Sequence, residues 1–377
     1  MGERLQVIVL FGGRSGEHDV SLESARSVMA ALDPSRFEVV PVGITREGAW
    51  LVGEGALEAL KREQLEGLKP VTILPDPTRR GLWQLGAEDG AAKLALLSRV
   101  DVVFPVLHGT FGEDGTLQGL LEMADVAYVG CGVLASALAM DKIAFKDVCK
   151  AHGLPVADYV ALTRRRWERM PEEVIAEVEA KLRYPLFVKP ANLGSSVGIS
   201  KCADREALRA GLAEAARYDR RLLVEEAVPQ AREIEVSVLG NEAPSASVPG
   251  EIVPSREFYD YAAKYLDDGE QASRLLIPAP LSQEESDRIR AMALEAYRAI
   301  DGAGLARVDF LLSRETGQLY LNEINTMPGF TKISMYPKLW EASGVPYDKL
   351  LGWLIDLALD RHYENDRSER IFRAPIG

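Results

Sequence analysis

The sequence predicts an α/β protein of two or three domains. Three observations carry that expectation. Strand, glycine turn and helix follow one another from the start of the chain, the early strands are unbroken apolar runs, and 377 residues exceed what one core holds. Strands alternating with helices make βαβ units and a parallel sheet, whose covered strands show no polar side. A prior of about 150 residues per domain gives two or three domains. Hydrophobic residues make up 47% and charged residues 27%, the balance of an ordinary globular chain.

The elements follow in order. Residues 5–11 read as a strand, Gly12-Gly13 as a tight turn and residues 20–32 as an amphipathic helix. Residues 37–44 and 100–107 are further strands, the latter leading through a Gly-rich loop into a helix over 117–123. Parallel sheets place ligands at the carboxyl ends of their strands. Gly12, Gly13 and Gly16 do not form G-x-G-x-x-G, which sets aside an NAD-dependent oxidoreductase. A second block opens near Asp141 with a helix over 142–151, stopped by Gly153 and Pro155. It continues with strands 186–188 and 222–225 and a Gly/Ser loop at 192–198. A third block holds strand 234–239, a polar and aromatic segment at 255–273 that reads as a packed loop or lid, and a helix over 282–300. A hairpin of strands 306–312 and 319–325 follows, then a last helix over 347–361 and a loose charged tail.

A net charge of −13 argues against a surface for nucleic acid or anionic membrane, so a polyanionic ligand would need a local cluster of cations and N–H groups. Cys131, Cys149 and Cys202 are odd in number and scattered, which suits reduced thiols in a cytoplasmic protein. The chain starts without a signal-type apolar segment, and no run reaches the ~18 residues of a membrane helix.

The richest constellation lies on the hairpin. With the turn centred on Thr316, Asp309 faces Glu323 and Arg307 faces Asn325, all on one side because strand side chains alternate. Such a cluster is costly unless something lies between its members. Oxygen ligands from Asp309, Glu323 and Asn325 suit Mg²⁺, while a solvated face with incidental ion pairs is the plainer alternative. Lys189, leaving a buried strand just before Gly194, Ser195, Ser196 and Gly198, makes a phosphate cradle; a plain turn is the alternative. No Walker or protein-kinase signature is present. Asp19 and Ser21 read as helix-start residues, whereas Glu17 is placed to meet a ligand amine. His108 ends a buried strand and is either a site residue or a satisfied core histidine. In the turn after Asn325, a Gly329 N–H beside Arg307 would make an oxyanion hole; Lys332, Ser334 and Met335 would line the same pocket.

Taken together these motifs resemble the D-alanine–D-alanine ligases of the ATP-grasp superfamily over nearly the whole chain. The resemblance rests on Glu17-His18-Asp19-Val20-Ser21, His108-Gly109 with Gly112-Glu113-Asp114-Gly115, Met140-Asp141-Lys142 and Val188-Lys189-Pro190. It continues through Gly194-Ser195-Ser196-Val197-Gly198, Tyr259-Asp260-Tyr261, Lys264-Tyr265, Arg307-Val308-Asp309 and Asn322-Glu323-Ile324-Asn325-Thr326. It implies a Rossmann-like N-terminal domain over 1–139 and a two-part ATP-grasp fold over 140–233 and 234–377. It implies that Lys142, Lys189, Ser196 and Lys264 contact ATP phosphates. Glu225, Glu226, Ala227, Val228 and Glu233 would hold the adenosine, with Phe258 and Asn322 nearby; Glu235 competes with Glu233 for the ribose. Asp309, Glu323 and Asn325 would bind two Mg²⁺, replaceable by Mn²⁺, with a monovalent cation as a further ion.

The resemblance also assigns the substrate side. Glu17, with Ser195 and Tyr265, orients the first D-alanine, beside His108. Arg307 and Gly329 hold the oxyanion, and Ser334 and Met335 the second D-alanine. A homodimer and a role in peptidoglycan precursor synthesis are further implications. D-lactate or D-serine as acceptor, and a silent nucleotide-binding regulator, are the competing readings.

Overall fold

The computed structural model describes residues 4–88, 90–254 and 273–370. Among them, three sheets carry the architecture. The first has eight strands, in the order Ala91–Ser98, Leu82–Glu88, Lys69–Ile73, Trp50–Val52, Phe37–Ile44, Leu5–Gly12, Val102–Pro105 and Ala127–Tyr128. Its central part is parallel, as βαβ alternation requires: Leu5–Gly12 pairs in parallel with both Phe37–Ile44 and Val102–Pro105. The other half departs from the expected all-parallel sheet. From Phe37–Ile44 outward every pairing is antiparallel, and the last hairpin runs into solvent with Leu85, Leu94, Leu96 and Leu97 exposed. That hairpin lacks the alternation a half-buried strand shows, so the sequence pattern did not announce it.

Helix His18–Ala31 follows the first strand through a turn that only glycine allows. Gly12 has φ +88, and a Cβ there would sit 2.3 Å from the Ile44 carbonyl oxygen. The second sheet is antiparallel, in the order Ser200–Cys202, Leu186–Pro190, Arg221–Glu226 and Tyr159–Thr163. Helices Pro171–Lys181 and Arg205–Tyr218 cover it through Val174, Ile175, Val178, Leu208 and Leu212. The third sheet contains Arg274–Leu276, Gly250–Val253, Ala231–Leu239, Leu305–Ser313 and Leu319–Asn325, with Ser245–Ala246 beside Ala231–Leu239. Helix Gln283–Ala299 packs on it, started by a capping box in which Ser282 and Glu285 satisfy each other's backbone N–H.

Helix Tyr347–Asp366, longer than its sequence pattern suggested, returns to the first sheet. Leu350, Leu351, Leu354 and Ile355 share one core with Val7, Val9, Leu22 and Phe104. Burying a side chain of that size stabilises by about 1.5–3 kcal/mol, so this seam ties the two ends of the chain firmly. It also fixes the carboxyl ends of the first sheet against the third, where the site lies. Among the described residues no helix is long and apolar enough to cross a membrane.

Candidate active site

The hairpin of the third sheet brings four polar residues together as its register requires. Arg307 pairs with Asn325 and Asp309 with Glu323. The route to that register is less simple than a symmetric turn. The turn aligns Leu312 with Leu319 and Phe310 with Leu321, which extrapolated would set Asp309 against Asn322. A bulge between Asp309 and Phe310 corrects this, leaving Asn322 as the extra residue. Asp309 is nearly buried and accepts two bonds of 2.7 Å from the Arg307 guanidinium, while Asn325 Nδ2 donates to it at 2.9 Å. Arg307 also meets Glu235, 3.0 Å away on the neighbouring strand. Burial works to lower the Arg307 pKa, but Asp309 and Glu235 outweigh it and hold the value well above the ordinary one.

One lysine meets this hairpin, and a second stands at a strand exit of the second sheet. Lys142 opens helix Lys142–Ala151, whose N-cap Asp141 accepts from the Ile143 and Ala144 N–H groups and is held in turn by Arg221 and Asn192. The Lys142 ammonium lies 3.1 Å from Glu323 and donates to the Leu193 carbonyl at 3.0 Å. Burial would lower its pKa, yet Glu323 turns the net shift upward, so it stays charged. Lys189, at the end of Leu186–Pro190, pairs with Glu225, which also meets buried Lys146 at 2.9 Å. Burial pushes the Glu225 carboxyl up, but the two ammonium groups bring it down to about 2. Beyond Lys189 the loop turns through Ser195 at φ +51 and Ser196 at φ +59, left-handed conformations that side chains adopt at a cost of about 1–2 kcal/mol each. The turn is closed by the Val197 N–H on the Gly194 carbonyl at 3.3 Å.

The first sheet supplies the opposite wall. Glu17 stands at the N-cap position of helix His18–Ala31 without a capping bond from its side chain, and it accepts from Ser195 Oγ at 2.5 Å, joining the two halves of the site. Gly109 lets this happen, since a Cβ there would lie 2.7 Å from Glu17 Oε2. His108 is 4% exposed, with Nδ1 2.9 Å from the Met327 carbonyl oxygen and Nε2 3.3 Å from Ser24 Oγ. Burial pushes its pKa down, so the ring is neutral. Gly329 follows in the same turn, 3.0 Å (from an added Cβ) from Ser334 Oγ, which Thr331 also binds. Ser334 caps helix Met335–Ala342. The Met335 side chain packs with Ile252 and Leu339 in the core, so only its main chain faces the turn. Glu113, Lys142, Gly194, Glu323 and Asn325 line one small cavity at the centre.

Comparison with known proteins matches this arrangement to one family. The family model for the N-terminus of D-ala D-ala ligase matches residues 6–131, and that for its C-terminus residues 148–356. The chain belongs to the D-alanine–D-alanine ligase family. It is 52% identical over 371 residues to the D-alanine–D-alanine ligase of Natranaerobius thermophilus, covering 98% of this chain and 99% of that one. It is 54% identical over 362 residues to that of Heliobacterium modesticaldum, covering 96% of each. Among solved structures, the D-alanine-D-alanine ligase from Coxiella burnetii superimposes with TM-score 0.81 at 37% identity, covering 97% of both chains. The VanG D-Ala:D-Ser ligase from Enterococcus faecalis gives 0.83 at 34% identity, covering 94% of this chain and 100% of that one. These neighbours have the ATP-grasp fold, and so does this ligase.

Residues 225–233 lead from the second sheet of the ligase into its third. Glu225, the penultimate residue of its strand, lies between Lys146 and Lys189, whereas the Glu226 carboxylate turns away to accept from the Arg183 N–H at 2.7 Å. Ala227 N–H donates to the Pro185 carbonyl, and Val228 continues toward strand Ala231–Leu239. Glu233 and Glu235 share one face of that strand; of the two, Glu235 reaches Arg307. Phe258, Lys264 and Tyr265 lie outside the described residues. Sequence reading passed over Lys146, Ser24 and the Glu235–Arg307 pair, because no local pattern announces a partner many residues away. A tight grouping of Asp125, His362 and Asp366 lies elsewhere, but Arg80 and Arg370 already meet its carboxylates. The Asp309, Glu323 and Asn325 set, all oxygen donors on one hairpin face, fits a hard divalent cation.

Proposed function

We infer that this ligase joins two D-alanine molecules into D-alanyl-D-alanine while ATP becomes ADP and inorganic phosphate. The observation that carries this reading is a small cavity lined by Glu113, Lys142, Gly194, Glu323 and Asn325, with the bonded pair Glu17 and Ser195 beside Gly194 and the Arg307–Asp309 pair on the same hairpin face. An amine, a polyphosphate and a developing oxyanion each find a partner of opposite charge there. A carboxylate oxygen of the first D-alanine attacks the γ-phosphorus, the bond to the β-phosphate breaks, and ADP leaves. The neutral amine of the second D-alanine then attacks the carbonyl carbon of the acyl phosphate, loses a proton, and phosphate departs. Lys142, Lys189 and Ser196 hold the phosphates. Glu17 and Ser195 orient the first amine. Arg307 and the Gly329 N–H receive the carbonyl oxygen, and Ser334 with the main chain of Met335 takes the second carboxylate at a helix N-terminus.

Asp309, Glu323 and Asn325 would hold Mg²⁺, two ions or Mn²⁺ in their place, and the metal supplies charge neutralisation on the transferred phosphoryl group. The adenosine lies along residues 225–228, with Glu233 and Asn322 beside it. Phe258, Lys264 and Tyr265 belong to the same reading through the family resemblance, as do a homodimer and a monovalent cation. The three sheets support a division at 1–139, 140–233 and 234–377, strand Ala231–Leu239 straddling the second boundary. Dependence on ATP and three buried free thiols support a cytoplasmic location, and the product is of the class used in peptidoglycan precursors.

The test is ADP release with Mg²⁺, ATP and D-alanine, the product mass being read from the same tube. Release that needs D-alanine, with the dialanine mass, is the expected result. Product only in the presence of D-serine or D-lactate would overturn the acceptor, and no release under any condition would overturn the activity.

A further inference from the structure

The turn that carries Gly329 belongs to the third sheet, yet much of what holds it comes from the other end of the chain. Met327 is held from the first sheet's side. Its carbonyl accepts from His108 Nδ1 at 2.9 Å, and its N–H faces the Glu113 carboxylate closely enough to favour the charged form of that group. Because a carbonyl only accepts, Nδ1 carries the hydrogen, and the neutral ring presents a bare Nε2. Ser24 Oγ lies 3.3 Å from that nitrogen and donates to it. The same oxygen accepts from the Phe330 N–H, also at 3.3 Å. Ser24 is fully buried on helix His18–Ala31, and Glu113 is further fixed by the Gly109 N–H at 2.8 Å. Gly329 therefore sits between two residues, Met327 and Phe330, that are tied to the first sheet's layer.

We propose that Ser24, His108 and Glu113 form a clamp that sets the position of the Gly329 N–H, with Ser24 as a positioning residue for the ligation. The proposal rests on the reading of Gly329 as an oxyanion donor. An oxyanion donor stabilises the transition state because it is already aimed before charge develops, and a misplacement of about 1 Å costs about a hundredfold in rate. Pro328 and Gly329 alone do not supply that stiffness; the two hydrogen bonds made by Ser24 and His108, with the Glu113 carboxylate beside the Met327 N–H, do. The clamp also couples the donor to Glu17, since His108 and Glu113 flank the Gly109 that packs on the Glu17 carboxylate. The same packing of the first layer against the third thus positions both the amine contact and the oxyanion donor.

The test uses Ser24→Ala in the full chain, with ATP, Mg²⁺ and D-alanine as ligands. Three readouts are taken: kcat and KM for ATP, amide exchange of the segment 325–332 without ligands, and the thermal midpoint as a check of folding. The expected result is a kcat about tenfold to a hundredfold lower, a KM for ATP within about twofold, and exchange at residues 327–330 at least about tenfold faster. Ser24→Cys, which keeps the volume and a weak donor, recovers part of kcat. Unchanged exchange overturns the clamp. Faster exchange with wild-type kcat overturns its part in the reaction. Gly329→Pro removes the N–H itself and judges the reading beneath: wild-type turnover in that variant would remove Gly329 from the oxyanion site, while the exchange result still decides whether the clamp exists.

Discussion

Two glycine-bearing loops meet in the site, and they are built in opposite ways. The loop over 192–198 is half-buried or exposed throughout and twists through left-handed Ser195 and Ser196. A contact that ties it to the opposite wall is the Ser195–Glu17 hydrogen bond. The turn over 325–331 has Thr326, Met327, Pro328 and Phe330 buried. It is bonded by Ser24, His108 and the Tyr347 hydroxyl, and Phe330 packs its ring at 6.0 Å from Phe104 and 5.3 Å from Tyr336. Other bonds of the loop over 192–198 come from its own side, from Lys142 to the Leu193 carbonyl and from Asn192 to Asp141 and Asp219, and on the proposed reading this loop admits and releases a nucleotide. A donor that stabilises a transient charge works only if it does not have to reorganise. On the reading proposed above, the contrast puts the more deeply buried support around the reacting carbonyl and the less buried around the phosphates.

The sharpest way to press the comparison is to cut the stiff side at its charged base. Asp309→Ala frees the Arg307 fork and removes a metal oxygen donor, and turnover should fall by about 10³-fold or more, the scale of losing transition-state charge stabilisation. Coupled ADP release measures it, and full activity in the variant would remove Asp309 from the site. On the loose side the effect is smaller and of a different kind. Ser195→Ala loses the bond to Glu17, and the expected change is a KM for D-alanine raised about tenfold, the equivalent of about 1.4 kcal/mol, with kcat within about threefold. A kcat loss as large as that of Asp309→Ala would erase the distinction between the two loops.

The difference between the loops was only partly legible in the sequence. Period two on residues 305–325 sets Arg307, Asp309, Glu323 and Asn325 on one face. The bulge that makes this true shows as a broken alternation, Leu319 and Leu321 inward but then Ile324 and not Glu323. Lys142 and Lys189 stood at a helix start and a strand exit, positions that local pattern marks. Ser24 gave no signal, because its partners lie 84 and 306 residues away and its neighbours read as an ordinary helix face. Lys146 hid for the same reason: a lysine in a helix is usually solvated, and this one is 2% exposed only because Glu225 comes from another element. The antiparallel strands over 50–98 were missed since half of them bury little apolar surface.

A pH series probes the clamp from its acidic member. Burial first, and the Glu17 carboxylate second, push the Glu113 carboxyl up to about 8 from an ordinary value of 4.5. Between those values the folded ligase binds a proton that the unfolded chain has released, so stability falls as pH rises through the window. Glu113→Gln keeps an acceptor for the Met327 and Gly109 N–H groups and has no proton to lose. Its thermal midpoint should therefore fall less between pH 4.5 and 8 than that of the wild type. An identical slope in both proteins would place the proton elsewhere and leave Glu113 as a charged acceptor.

The smallest effect should come from relaxing the loose side further. Ser196 holds φ +59 without a glycine, at a cost of about 1–2 kcal/mol that glycine would not bear. Glycine loses about 0.5–1 kcal/mol of that gain by being freer in the unfolded chain. Ser196→Gly should then stabilise the fold by up to about 1 kcal/mol, a rise of about 2–4 °C in the thermal midpoint. The same freedom must be given up when ATP orders the loop, so KM for ATP should rise about threefold. A variant at once more stable and weaker for ATP would show that the serine's strained backbone is set by the nucleotide site and not by the fold. Lower stability with unchanged KM would show the reverse, that the twist is packed into the domain and the two loops differ less than their contacts suggest.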